Sequence, residues 1–299
     1  MVSEGILYIA TGEKYLDQAK LSAKTVNRHT ELPIAVVSHR SVEDEVFDYT
    51  IVAEDPEDSF ADKPKYITKS PFERTLYFDT DIFLIANITE LLEMLDHADV
   101  ATAIDPYEWE HRVAKHYSFS EVPESVPIFQ TGVIAYKDTD QTRELFENWY
   151  DIHMDCAIER DQASFRPALY QTDVQYISFS HNYNFPVNWP IHAVGEVKIL
   201  HSNYIKDLET LKTLSNRING SSDIRSFYGS GDPSSIQGAG FTISVPTSTI
   251  GNAIAQSITV PVKYLIKLKR LGKFTLQSAK EEGIWTTTRK AINSIRAKK

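Results

Sequence analysis

One cysteine, Cys156, stands among 299 residues. That excludes an intrachain disulfide framework and any metal site built on several thiolates. No stretch of 18 uninterrupted apolar residues occurs, so the sequence offers no membrane-spanning segment. The opening MVSEGILYIATG lacks the basic region and long apolar run of a secretory leader. These absences lead us to expect a reducing, cytoplasmic setting. A basic excess is missing too: the formal net charge is −10. An acidic body argues against nucleic acid as a partner. Internal repeats and strongly low-complexity tracts are absent as well.

The charge is unevenly spread. Residues 261–299 hold 11 Lys and Arg against two acids, Glu281 and Glu282, leaving 20 basic and 39 acidic residues in the rest. Wound as a helix, this tail sets Tyr264, Leu265, Leu268 and Leu271 opposite Lys263, Lys267, Arg270 and Lys273, with a second stripe through Trp285, Thr288, Ile292 and Ile295. Basic, amphipathic and Trp-bearing segments suit the surface of an anionic membrane. Docking on the acidic body is the other reading, and the sequence leaves both open. The sequence does not specify an oligomeric state.

The first 200 residues alternate short apolar runs with helix-like segments, the pattern of an α/β layered domain with a largely parallel sheet. Strands are expected at GILYIAT, PIAVVSH, YTIVA, RTLYF, ADVATAI, TGVIAYK and VKIL. Helical periodicity is clearest over 14–26, 89–95 and 140–155. Residues 105–127 are long and irregular, as a lid or binding loop would be. The expected organisation is a catalytic domain over 1–218, a Gly/Ser-rich linker or mobile loop over 219–260, and a basic amphipathic helical tail over 261–299.

The tripeptide Asp-Thr-Asp occurs twice, at 79–81 and 138–140. Chance supplies about one D-x-D in a chain of this composition, so context has to separate them. Asp138 and Asp140 precede a helix, where aspartates cap backbone N–H groups and favour the dipole. Asp79 and Asp81 follow an apolar strand and precede the apolar IFLIANI. Residues i and i+2 of an extended segment face one side, so both carboxylates can address one hard cation, Mg²⁺ or Mn²⁺. Capping of a following turn is the plainer alternative.

The stretch KPKYITKSPFERTLYFDTDIFLIANI, at 63–88, resembles the core of nucleotide-sugar glycosyltransferases of the GT-A (Rossmann-like) fold. The likeness is greatest to glycosyltransferase family 8, which includes glycogenin. Other pieces follow in that family's order: YIATGEKY, FQTGVIAYK, RDQASF, HNYNFP (with Tyr183 and Asn184) and VKILHSNY. The resemblance implies a mostly parallel mixed sheet flanked by helices. It implies metal binding by Asp79, Asp81 and His201, and binding of the nucleotide-sugar by Ala10, Thr11, Gly12, Tyr15, Lys63 and Thr80. It places Asp161, Gln162 and Gln130 at the reacting sugars. The implied activity is transfer of a sugar from a nucleoside diphosphate donor, a UDP-sugar, with Mn²⁺ or Mg²⁺. The acceptor is a hydroxyl of a glycan, lipid-linked or protein partner, and the outcome is retention. Gln130-Thr131-Gly132 replaces the family's Asn-Ser-Gly, and no Gly-x-x-Lys-Pro-Trp follows His201.

Alternatives stay open. An inverting enzyme needs a carboxylate base, for which Asp161 and Asp105 are candidates. A non-catalytic sugar-nucleotide scaffold fits the same motifs. A pyrophosphorylase fits less well, because ATGEKYLDQAK lacks a Gly-rich basic phosphate loop.

Overall fold

Runs such as GILYIA and IAVVS have no polar alternation, which suits strands covered on both faces. The computed structural model describes residues 2–106, 119, 121–156, 159–187, 191–220 and 225–227. In chain order the main sheet takes β1 (Val2–Ala10), β2 (Ile34–Ser38), β3 (Tyr49–Val52) and β4 (Phe72–Phe78). It passes over β5 (Ile82–Leu84) and adds β6 (Val100–Ile104), β7 (Phe129–Lys137) and β8 (Tyr176–Phe179). The spatial order is β3-β2-β1-β4-β7-β6-β8. Only β7 runs antiparallel to its neighbours; the other pairs are parallel. The seven strands expected from the sequence are all present. The short β8 went unread because Tyr176–Phe179 is an edge strand, half exposed, with little hydrophobic signal.

Helices cover both faces of this sheet. On one side α1 (Glu13–His29) buries Leu16, Ala19, Ala23 and Val26 against Ile6, Tyr8, Leu76 and Phe78. The next residues along the strands, Leu7, Ile9 and Tyr77, point the other way, as the two-residue period of a strand requires. They pack with Leu145, Phe146 and Trp149 of α4 (Asp140–Asp155) and Phe165 of α5 (Gln162–Gln171). The indole N–H of the fully buried Trp149 donates to the Asp161 carbonyl at 2.9 Å. Core packing thereby fixes the residue that starts α5. Helix α5 shows little helical periodicity in sequence because it is buried nearly all round, including Pro167, so no polar face marks it.

Two short helices precede the sites of interest, α2 (Asp62–Tyr66) and α3 (Glu90–Glu93). The helix expected over 89–95 is only this single turn, followed by a 3₁₀ turn over Met94–Asp96 that buries Leu95. A small second sheet pairs β5 antiparallel with β11 (Ile199–His201), which in turn lies parallel to β9 (Phe185–Pro186). Its core joins Phe83, Phe185 and Leu200 to Leu211 and Leu214 of α6 (Leu208–Ile218). Beyond α6, β12 (Arg225–Phe227) pairs antiparallel with β10 (Ile191–Ala193). The rest of the expected linker, the basic tail and most of the 105–127 loop lie outside the described residues.

The second Asp-Thr-Asp is a helix entrance, but its cap is the threonine. Thr139 Oγ1 accepts from the Thr142 N–H at 3.2 Å, and Thr142 Oγ1 accepts in return from the Thr139 N–H at 3.0 Å. Asp138 turns to the Arg143 guanidinium (2.8 and 2.7 Å), and Asp140 is solvent-exposed. Thr139→Ala is expected to cost about 1 kcal/mol in urea denaturation, whereas Asp140→Ala is expected to cost only a few tenths.

Candidate functional site

Strand pairing assembles the site from residues far apart in sequence. Tyr8 on β1 pairs with Phe78 on β4, so Ala10–Gly12 and Asp79–Asp81 leave the sheet at the same edge. The Asp79 N–H donates to the Gly132 carbonyl at 2.9 Å, extending the β4–β7 ladder by one step. After Asp81 the chain enters β5, whose Ile82 pairs with His201 on β11. The Ser202 N–H donates to the Asp81 carbonyl at 3.0 Å. These pairings bring a histidine 120 positions downstream beside the first Asp-Thr-Asp. One ligand atom from each of Asp79, Asp81 and His201 lies within 4.8 Å of the others.

The side chains are tied down. His201 Nε2 lies 3.2 Å from Asp81 Oδ1, and its Nδ1 lies 2.8 Å from Asn184 Oδ1. Asp79 Oδ1 accepts from the Tyr77 hydroxyl at 2.7 Å and from the Lys63 ammonium at 2.8 Å. Its second oxygen, Oδ2, faces His201 across Gly132. A Cβ at Gly132 would stand 2.7 Å from His201 Cε1 and 3.2 Å from Asp79 Oδ2. Glycine is required there by space, not by backbone conformation.

Lys63 is 7% exposed, and its ammonium also reaches Asp161 Oδ2 at 2.8 Å and Thr131 Oγ1 at 3.2 Å. Two carboxylates therefore hold one buried ammonium, and a third, Asp81, lies against His201. The electrostatics follow from that count. Burial pushes the Asp79 carboxyl above its ordinary range, against the pull of Lys63. At Asp81 burial acts in the same direction, but facing His201 overrules it and holds the carboxyl low. Burial opposes charge on His201, and the Asp81 carboxylate wins and raises it. Burial likewise opposes charge on Lys63, and Asp161 and Asp79 overrule it. With His201 neutral, the carboxylates of Asp79, Asp81 and Asp161 against the Lys63 ammonium leave two negative charges, the number one divalent cation carries. Two carboxylates and an imidazole fit Mn²⁺ or Mg²⁺ in donor chemistry.

The remaining residues named from the sequence sit as follows. Ala10 is buried at the end of β1, and Gly12 precedes α1. The Thr11 hydroxyl donates to Asp62 Oδ2 at 2.6 Å, and Tyr15 is 47% exposed on the first turn of α1. Thr80 points the other way from its two aspartates, donating to Gln18 Oε1 of α1 at 3.0 Å. Gln130 is buried on β7, and its side-chain oxygen has no hydrogen-bond partner among the described residues. Asp161 joins the Lys63 network, and Gln162 Nε2 donates to Asp105 Oδ2 at 2.6 Å. Tyr183 turns away to Glu90. Two contributors were not foreseen, Tyr77 and Asp62. Tyr77 was within reach of sequence reasoning, since it lies two residues before Asp79 on the same strand face.

No family model matches the chain, and no curated protein matches it in sequence. Solved structures do match it in shape. The galactosyltransferase LgtC, in complex with donor and acceptor sugar analogues, superposes with a TM-score of 0.50 at 14% identity, over 71% of this chain and 95% of LgtC. The glycosyltransferase GlyE of Streptococcus pneumoniae TIGR4 gives 0.47 at 17% identity, over 62% of this chain and 47% of that one. Mouse xyloside xylosyltransferase 1 gives 0.47 at 15% identity, over 68% and 98%. The chain thus matches about half the length of GlyE and nearly all of LgtC. At such identities the likeness is one of fold: a mixed, mostly parallel α/β sheet of the GT-A glycosyltransferase type.

Proposed function

We propose that this chain is a metal-dependent glycosyltransferase, akin to family 8, that moves a sugar from a nucleoside diphosphate donor, a UDP-sugar, to an acceptor hydroxyl. The observation that carries the reading is the half-buried Asp79, Asp81 and His201 cluster, one ligand atom of each lying within 4.8 Å of the others. When bound, Mn²⁺ or Mg²⁺ supplies Lewis-acid stabilisation of the charge that grows on the leaving diphosphate. The protein's part is positional. Tyr77 and Lys63 fix Asp79, and Gly132, by lacking a Cβ, lets the His201 ring pack against β7. Lys63 balances Asp79 and Asp161. Ala10, Thr11, Gly12 and Tyr15 form the rim for the nucleotide, with the exposed Tyr15 ring as a stacking platform.

Retention is the outcome we favour. Inversion needs a carboxylate base at the acceptor, yet Asp161 is engaged by Lys63 and Thr131, and Asp105 by Gln162. Gln162 and Gln130 then serve to hold sugar hydroxyls. The deciding experiment incubates the full chain with a panel of UDP-sugars and Mn²⁺, then repeats it with chelator. Metal-dependent UDP release from one donor supports the enzyme. Absence of turnover with every donor, unaltered in Asp81→Ala, supports the non-catalytic scaffold instead.

No helix among the described residues is long and apolar enough to cross a membrane. For the tail over 261–299 we favour peripheral attachment to an anionic surface, which fits a lipid-linked or surface-glycan acceptor. Full-length protein is expected to sediment with phosphatidylserine vesicles, and a chain ending at residue 260 is expected to stay in the supernatant. Equal sedimentation of the two would assign the tail elsewhere.

A further inference from the structure

We propose that Asn184 is a positioning residue that selects the metal-ready tautomer of His201. This rests on the metal-site reading above and adds a residue to it. A neutral imidazole carries one N–H, and only its other nitrogen has a lone pair to offer a cation. His201 presents Nε2 toward Asp81 Oδ1 at 3.2 Å, on the side where Asp79 also lies. Nε2 can ligate only if the proton is on Nδ1, and Nδ1 lies 2.8 Å from Asn184 Oδ1. An amide oxygen accepts and cannot donate, so Asn184 favours a proton on Nδ1, against the pull of the Asp81 carboxylate for a proton on Nε2, and supports the ring when a cation displaces that second proton.

The fold delivers that oxygen deliberately. Asn184 is fully buried and directly precedes β9, whose Phe185 and Pro186 pair with Leu200 and His201 of β11. The ring is held from a second direction by Gly132, where even a methyl group would stand 2.7 Å from Cε1. Exchange of the ring's nitrogens by a half-turn would set a ring carbon against Asn184 Oδ1 and lose that contact. The Asn184 amide nitrogen, in contrast, is buried with no hydrogen-bond partner among the described residues. An unpaired buried N–H is a standing cost that an apolar side chain of similar volume would avoid. Packing alone does not account for an amide at this position; its oxygen does.

The test is a titration with Mn²⁺ alone, followed by electron paramagnetic resonance, on the full chain and on Asn184→Leu and Asn184→Asp. Leucine fills the space without an acceptor, and affinity is expected to fall about 10- to 100-fold. Aspartate keeps the acceptor, and affinity is expected to return to within a few-fold of the parent. Nitrogen-15 shifts of the His201 ring, read without metal at a pH where the ring is neutral, should report a larger Nδ1–H share in the parent and in Asn184→Asp than in Asn184→Leu, because Asp81 draws the proton to Nε2 in all three. They should report mainly Nε2–H in Asn184→Leu. Parental affinity in the leucine variant, or an Nδ1–H share in the parent no larger than in that variant, overturns the assignment. Should the parent itself bind no Mn²⁺, the metal reading falls, and the ring shifts still decide the role of Asn184. Should Asn184→Leu not fold, the aspartate variant and the parental ring shifts carry the decision.

Discussion

Asp81→Asn should cut metal-dependent donor turnover by about 10²- to 10³-fold, the scale on which a group that stabilises developing charge acts. The variant is informative because Asp81 does little else. Its side chain meets His201, and the backbone carbonyl that receives the Ser202 N–H is untouched by the change. Asparagine keeps the shape and removes one of three carboxylates. A second readout separates metal loss from misfolding. At a Mn²⁺ concentration about 100 times the dissociation constant, the parent should gain about 2.7 kcal/mol of stability. Asp81→Asn should melt like the metal-free parent and gain little. A variant that keeps both its turnover and its Mn²⁺-induced stabilisation would remove Asp81 from the ligand set.

Much of the fold was legible because it depends on local patterning. Fully buried strands such as IAVVS read as continuous apolar runs, and α1 and α4 carry a clear 3.6-residue period. What stayed hidden lacks that signal. Helix α5 has no polar face, and β5 and β9 are three and two residues long, each paired to β11. The second Asp-Thr-Asp is legible as a helix entrance from the helical pattern that follows it. The choice of threonine as the cap depends on side-chain rotation, which the sequence alone leaves open.

The candidate site divides along the same line. Asp79 and Asp81 were legible as a pair because strand geometry puts i and i+2 on one side. Their link to His201 came from motif order, and the physical cause is a long-range register, β5 against β11. Thr80 facing α1 follows from that same alternation. The inward turn of Lys63 was not legible. Its position ahead of the strand suggested a charge for the diphosphate, whereas its ammonium is matched by Asp79 and Asp161. Such a match depends on where Asp161 lands, and Trp149 in the core decides that.

Lys63→Met tests that match and should be the most destabilising single change in the site. Methionine has nearly the same length and no charge, so the cavity term is small and the electrostatic term stands alone. Asp161 is 4% exposed, and its carboxylate keeps the Thr131 hydroxyl but loses its only ammonium among the described contacts. Asp79 keeps the Tyr77 hydroxyl and is likewise left without a cation. Removing one partner of a buried ionic network typically costs about 3–5 kcal/mol, because the remaining charges stay desolvated. Urea denaturation of the metal-free protein should show a loss of that size. The double variant Lys63→Met with Asp161→Asn should recover a substantial part of it, since one stranded charge has been removed; a coupling above about 1 kcal/mol is expected for groups in direct contact. Additive losses would mean that Lys63 contributes through its stem rather than through its charge. The two results lead to different accounts of the site, because a Lys63 bound only by its stem would leave its ammonium to the donor phosphate.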